Sequence, residues 1–183
     1  MASKIKVDTL ETANGSGTIA LSNQLSGMTT ASLPALGSAQ MPTGSVLQVV
    51  QSGTIAFFSS TSTGSWLATN TTMSITPSAT SSKILVTVNQ PALLQGTTPM
   101  RCGFRIKRGS TVIWNAGDFR EHMQVRDAAN EHCQIINLVS LDSPSSTSSV
   151  TYSVEVYILS ATSFQLRGSA DGGSIMVLQE IKG

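Results

Sequence analysis

Two acid–histidine steps are where this sequence could build metal or general-base chemistry. Glu121-His122 and Glu131-His132-Cys133 offer the oxygen, nitrogen and sulfur donors that hold zinc or a softer transition metal. The steps lie ten residues apart, which matches no common zinc spacing. If they lie on strands, His132 and Cys133 also face opposite sides, because neighbouring strand residues alternate. The expectation is a solvated polar loop or an inter-subunit ion-pair patch, with no metal and no cofactor.

Hydrolysis of a glycosidic bond needs two carboxyl groups on opposite sides of the bond. The acids are Asp8, Glu11, Asp118, Glu121, Asp127, Glu131, Asp142, Glu155, Asp171 and Glu180, and their spacing marks no convergent pair. Serine is abundant, but the Gly-x-Ser-x-Gly elbow of hydrolases is absent. Gly15-Ser16-Gly17 lacks the following Lys-Ser/Thr of a phosphate loop. No residue is expected to be catalytic, and the chain reads as a building part rather than an enzyme.

Recognition chemistry is better represented. Arg101, Arg105 and Lys107 share one parity, with Arg108 just beyond, and form a basic stripe. Such a stripe can grip an anionic polysaccharide, a lipopolysaccharide phosphate or an acidic neighbour protein. It can also do nothing more than keep an edge strand from pairing with strangers. Trp66 and Trp114 could stack on sugar rings, or be buried in a sandwich or subunit seam. Arg101, Arg105, Lys107 and Trp114 are therefore the candidate contacts for a ligand or partner.

The elements that would carry these residues are strands. Val150, Tyr152, Val154, Val156 and Ile158 alternate with Thr151, Ser153, Glu155 and Tyr157, which sends one side into a core and the other to water. Further strands are expected at Val46–Gln51, at Ile84, Val86 and Val88, at Cys102, Phe104 and Ile106, at Val112–Trp114, at Phe164–Leu166 and at Ile175–Ile181. Ile55–Phe58 continues the first strand or pairs with it, and Leu67, Met73 and Ile75 keep one parity through a Thr-rich stretch. Between Cys133 and Leu141 both parities are apolar: Cys133, Ile135, Val139 and Leu141 on one, Ile136 and Leu138 on the other. Cys102 and Cys133 are both expected to face inward as free thiols, since two cysteines make no disulfide framework. The segment 117–131 reads equally as a helix, through Phe119 and Met123, a charged loop or a strand pair.

Short strands separated by Gly, Pro and Ser describe an all-β sandwich of the jelly-roll kind. Strands apolar on both faces need a second covering layer. In a domain this small that layer is expected to be a neighbouring subunit.

Residues 1–44 read differently, as an extended N-terminal arm and linker ahead of a head at 45–183. Ile5, Val7 and Leu10 precede the Asn14-Gly15 turn signal, and Ile19 and Leu21 follow it. Two short strands cannot hold themselves together in water, so the arm must pair with the body, a copy of itself or another protein. Pro34, Pro42 and several small residues then form the linker.

Composition narrows the partners. Of 183 residues only 11% are charged, against about 25% in typical domains, and the formal net charge is +1. Nothing suggests a nucleic-acid partner. Mean hydropathy is +0.11 without any run long enough to insert into a membrane. The start carries no apolar signal-peptide core, which points to synthesis in a cytoplasm.

At this point a resemblance emerges. Lys4-Ile5-Lys6-Val7-Asp8-Thr9-Leu10-Glu11 followed by Gly15-Ser16-Gly17-Thr18-Ile19 resembles the start of small fibre-type virion proteins of tailed bacteriophages, including those of cyanobacteria. Gly44-Ser45-Val46-Leu47-Gln48-Val49, Ser81-Ser82-Lys83-Ile84-Leu85-Val86, Ser148-Ser149-Val150-Thr151-Tyr152-Ser153-Val154 and Leu178-Gln179-Glu180-Ile181 are similar to the C-terminal β-sandwich of such proteins. The resemblance implies a homotrimer in the virion. Its arm (Ile5, Val7, Leu10, Ile19, Leu21) would dock to other virion proteins, and its head would contact a host glycan or lipopolysaccharide. The absence of a repetitive shaft favours a short tail fibre or appendage. The alternatives are a capsid decoration protein and a free carbohydrate-binding module.

Overall fold

Strand β4 (Lys83–Gln95) sets the plan of the body, because its burial alternates from Lys83 to Ala92 and breaks only at Leu93, which is also covered. Ile84, Val86, Val88, Gln90, Ala92 and Leu94 are buried, while the odd-numbered side chains look outward. Along one edge β4 pairs with β8 (Glu131–Asp142), from Ile84↔Asp142 to Gln95↔Glu131. Along the other it pairs first with β11 (Ile175–Ile181) and then with β10 (Ser163–Leu166). Beyond these lie β1 (Val46–Gln51) on β11 and β2 (Phe58–Ser60) on β10.

The second sheet runs β3 (Trp66–Ile75), β9 (Val150–Ser160), β5 (Met100–Arg108), β6 (Thr111–Asn115), with β7 (Met123–Val125) also paired to β5. Every pairing is antiparallel. Leaving aside the short β2, β7 and β10, the orders are β1-β11-β4-β8 and β3-β9-β5-β6. First strand beside last, with both sheets built by crossovers, is the double Greek key of a jelly roll. The all-β sandwich expected from the sequence is the fold observed.

This computed structural model describes residues 37–97, 99–115, 122–126, 130–171 and 173–183. Contacts divide the chain into two units, Met1–Leu36 and Gly37–Gly183. The arm residues Ile5, Val7, Leu10, Ile19 and Leu21 lie outside the described residues. Residues 37–44, which the sequence reading gives to the linker, are tied to the body: Gly44 N–H donates to the Lys182 carbonyl, and Lys182 Nζ donates to the carbonyls of Ala39 and Met41.

Between the sheets, Phe104, Phe164 and Tyr152 are the largest fully buried side chains. Phe104 and Phe164 meet at 5.9 Å between ring centroids, tilted as aromatic quadrupoles prefer. Thr71 and Gln90 enter this core as a bonded pair. Thr71 Oγ1 donates to Gln90 Oε1 at 2.7 Å, and Gln90 Nε2 donates to the Arg167 carbonyl at 2.9 Å. At the β5–β6 hairpin the chain reverses through Gly109, whose φ of +54° is a conformation that costs glycine little.

Two carboxylates, Asp142 partly buried and Glu180 fully buried, close the sandwich. At the end of β8, Arg108 Nη1 donates to both carboxylate oxygens of Asp142, at 2.6 and 2.8 Å, and Tyr152 Oη donates to Oδ2 at 2.7 Å. Burial and the neighbouring Asp142 carboxylate push the Tyr152 phenol well up, so it remains a donor. On β11, Glu180 accepts from Gln48 Nε2 on β1 and from Ser78 N–H, Ser78 Oγ and Ser82 Oγ at 2.6–2.7 Å, fastening the β3–β4 connection. Burial opposes ionisation of Glu180, but these bonds outweigh it and hold the carboxyl below its ordinary range.

One expectation is overturned. Cys102 is buried, and burial raises its thiol, but Cys133 is exposed. The reason is the register of β8. Its inward set is Ile136, Leu138, Ser140 and Asp142, opposite Gln90, Val88, Val86 and Ile84. The greasier set, with Cys133, therefore points out, and Ile135, Val139 and Leu141 remain 58%, 55% and 57% exposed. The Asp142 tie and an Asn89–Asn137 side-chain bond at 2.6 Å pin this register. In addition, Ile55–Phe58 does not pair with β1: Ile55 is buried in a connection and Phe58 opens β2. Of the helix, loop and strand pair left open for 117–131, Met123 lies in a strand, β7.

Candidate functional sites on the two outer faces

The outer face of the β3-β9-β5-β6 sheet carries the polar candidates. Alternation along β5 sends Arg101, Arg105 and Lys107 outward, while Cys102, Phe104 and Ile106 go into the core. Register places Glu155 of β9 directly opposite Arg105. Arg105 Nε donates to Glu155 Oε2 at 2.6 Å, and Lys107 Nζ donates to Oε1 at 3.0 Å. Partial burial works to raise the Glu155 carboxyl, but Lys107 and Arg105 together hold it below the usual range.

Beside this triad, the Arg105 guanidinium sits 4.3 Å from the centre of the Trp66 ring, a cation–π contact. Trp66 meets Tyr157 edge-on at 5.5 Å. Arg101 lies farther along β5, opposite Gln124 and Ser160, and its Nε is buried without a hydrogen-bond partner among the described residues. Arg101, Arg105 and Lys107 thus share a face, but two of these cations are already engaged with Glu155. Trp114 is not with them. It faces the sandwich opposite Ile106, half-buried, and stacks on His122 at 4.9 Å.

Sequence reasoning weighed Trp66 for sugar stacking but kept Trp114 instead, and it missed Glu155 and Tyr157. The parity of Glu155 and Tyr157 on β9 was the available signal, but only the pairing of β3, β9 and β5 brings the three to one place. The cluster can stack on an apolar ring face and exchange hydrogen bonds, which is recognition chemistry. The described carboxylates form no facing pair: Glu131 accepts from Gln95, and Asp142, Glu155 and Glu180 are held as above. His132 interacts with Gln134 at 3.2 Å. Among the described residues no three of His, Cys, Asp or Glu converge as metal ligands.

The outer face of the β1-β11-β4-β8 sheet is the opposite in character. Register lays its side chains in rows: Gln51–Val177–Thr87–Val139, then Val49–Gln179–Leu85–Leu141. Further along, Pro91 lies opposite Ile135 and Leu93 opposite Cys133. Val49 is 57% exposed. Charge enters this face only near its ends, at Lys83 on β4 and Glu131 on β8.

Comparison with known proteins adds little to these observations. No protein-family model matches the chain, and no curated protein does. Among solved structures, the chain is similar to the protein of T=1 particles derived from infectious bursal virus, at 14% identity and a TM-score of 0.42, covering 82% of this chain and 40% of that one. It is likewise similar to the protein of the T13 infectious bursal disease virus particle, at 15% identity and 0.42, over 82% and 40%. For the Gt strain of that virus the values are 14% and 0.39, over 82% and 42%. The chain spans well under half the length of these viral proteins.

Proposed function

We propose that this chain is a non-enzymatic structural protein of a tailed-phage particle, a short tail fibre or fibre-like appendage. In this reading its jelly-roll head assembles as a homotrimer, and its N-terminal arm docks to other virion proteins. The Trp66–Arg105–Glu155–Tyr157 cluster, with Lys107 and Arg101 beside it, contacts the host-surface glycan or lipopolysaccharide. Multivalent heads convert weak sugar contacts into avid attachment.

One observation carries the proposal: a sheet face is nearly uncharged and leaves the large apolar side chains Ile135, Val139, Leu141 and Val49 more than half exposed. Such a face suits a part that functions inside an assembly. The sequence resemblance to small phage fibre proteins supplies the assembly. A jelly roll hosts many functions, so the strand order alone argues for none of them.

Antibodies against the full chain, applied to intact particles of the phage that encodes it, test the location. Labelling at the tail or its base is the expected result. Labelling spread over the shell would replace the fibre reading with a decoration protein, and no labelling would remove the virion role.

A further inference from the structure

Building on that reading, we propose that copies of this chain meet through the outer face of the β1-β11-β4-β8 sheet. The polar-aromatic face then remains outside and open to solvent. The partner is a second copy, and three properties of the face favour it over an unrelated protein or a charged ligand.

The first is area. With strands about 4.8 Å apart and about 3.3 Å per residue, the four strands offer on the order of 600 Å² per copy. Three such faces turned toward one axis bury roughly 1,800 Å² in all, which reaches the size of specific protein interfaces. The second is charge. Lys83 and Glu131 sit at opposite ends of the face and the surface between them is uncharged, so two copies meet without like-charge repulsion. An acidic or basic partner would find nothing here to pair with.

The third is the polar minority. Asn89 Nδ2 donates to Asn137 Oδ1 at 2.6 Å, which leaves Asn137 Nδ2 as a donor and Asn89 Oδ1 as an acceptor at the middle of the face. Amides carrying both roles can be satisfied by the same amides on another copy. A buried Asn of this kind fixes register between identical subunits. Cys133, exposed on the same face, then becomes a reporter of its burial.

The test uses the full chain. Light scattering coupled to size exclusion should give a multimer for the wild type and for Val112→Glu, a control that charges an exposed apolar residue on the other sheet. The double substitution Ile135→Glu with Val139→Glu should give a monomer with unchanged circular dichroism. Cys133 should react with a maleimide at least tenfold faster in that monomer than in the wild-type multimer. A double variant that keeps the wild-type mass overturns this interface while leaving the self-associating head intact. A wild-type monomer overturns both. If the double variant does not fold, wild-type Cys133 decides alone: slow labelling that speeds up on dilution supports the interface, and free-thiol rates in the multimer refute it.

Discussion

Replacing Asp142 with alanine is expected to cost about 2–3 kcal/mol of folding stability, because a partly buried guanidinium and a phenol then lose their shared acceptor. Asp142 accepts from Arg108 Nη1 on both oxygens and from the Tyr152 hydroxyl. Its side chain is 9% exposed and that of Arg108 25%, so water replaces these bonds poorly. Arg108 lies on β5 and Tyr152 on β9, whereas Asp142 ends β8, so the tie joins one sheet to the other. Urea denaturation of the full chain measures the loss. Tyr152→Phe removes only one of the bonds and should cost about 1 kcal/mol. If Asp142→Ala lowers stability no more than Tyr152→Phe does, the tie is not holding the sheets.

Glu180→Gln should cost about 2–3 kcal/mol at neutral pH, the scale of hydrogen bonds to a charged acceptor. The substitution turns one acceptor of Ser78, Ser82 and Gln48 into a donor facing donors. It also changes the response to acid. The folded carboxyl is held below the unfolded value of about 4.3, so its contribution is complete above that value and lost as pH falls through the folded one. Glu155 shares this direction, so wild-type stability alone does not isolate Glu180. The difference between wild type and Glu180→Gln does: it should be largest near pH 7 and shrink below about pH 4. A difference that is flat from pH 7 to pH 3 would mean Glu180 gains nothing from its ionised state.

Much of the architecture was legible because local alternation and tertiary burial agree. In β9, Tyr152, Val154, Val156 and Ile158 are all buried, as their parity requires, and β4 and β5 behave alike. The jelly roll followed from the number and spacing of such strands. What failed was the choice between two apolar parities on one strand. On β8 the set containing Cys133, Ile135, Val139 and Leu141 has more apolar side chains than the set containing Ile136 and Leu138, and hydrophobicity alone turns it inward. Partners distant in sequence decide otherwise: Arg108 and Tyr152 draw Asp142 inside, and a strand with period two then carries every second residue with it.

Among the candidate contacts, the parity of β5 grouped Arg101, Arg105 and Lys107 correctly. It did not reveal that Glu155 neutralises part of the stripe or that Trp66, not Trp114, completes the cluster. Trp114 lies on the strand that follows, and a bulge between Ile106 and Lys107 shifts the β5–β6 register at that point. Such shifts arise from pairing, which no window of single-strand sequence contains.

The account depends on an apolar face that water should not cover. Sedimentation equilibrium of the purified full chain at micromolar concentration tests this most directly. The account predicts a single species at three times the 19.1 kDa chain mass. A stable, folded species at 19.1 kDa that persists as concentration rises would contradict it.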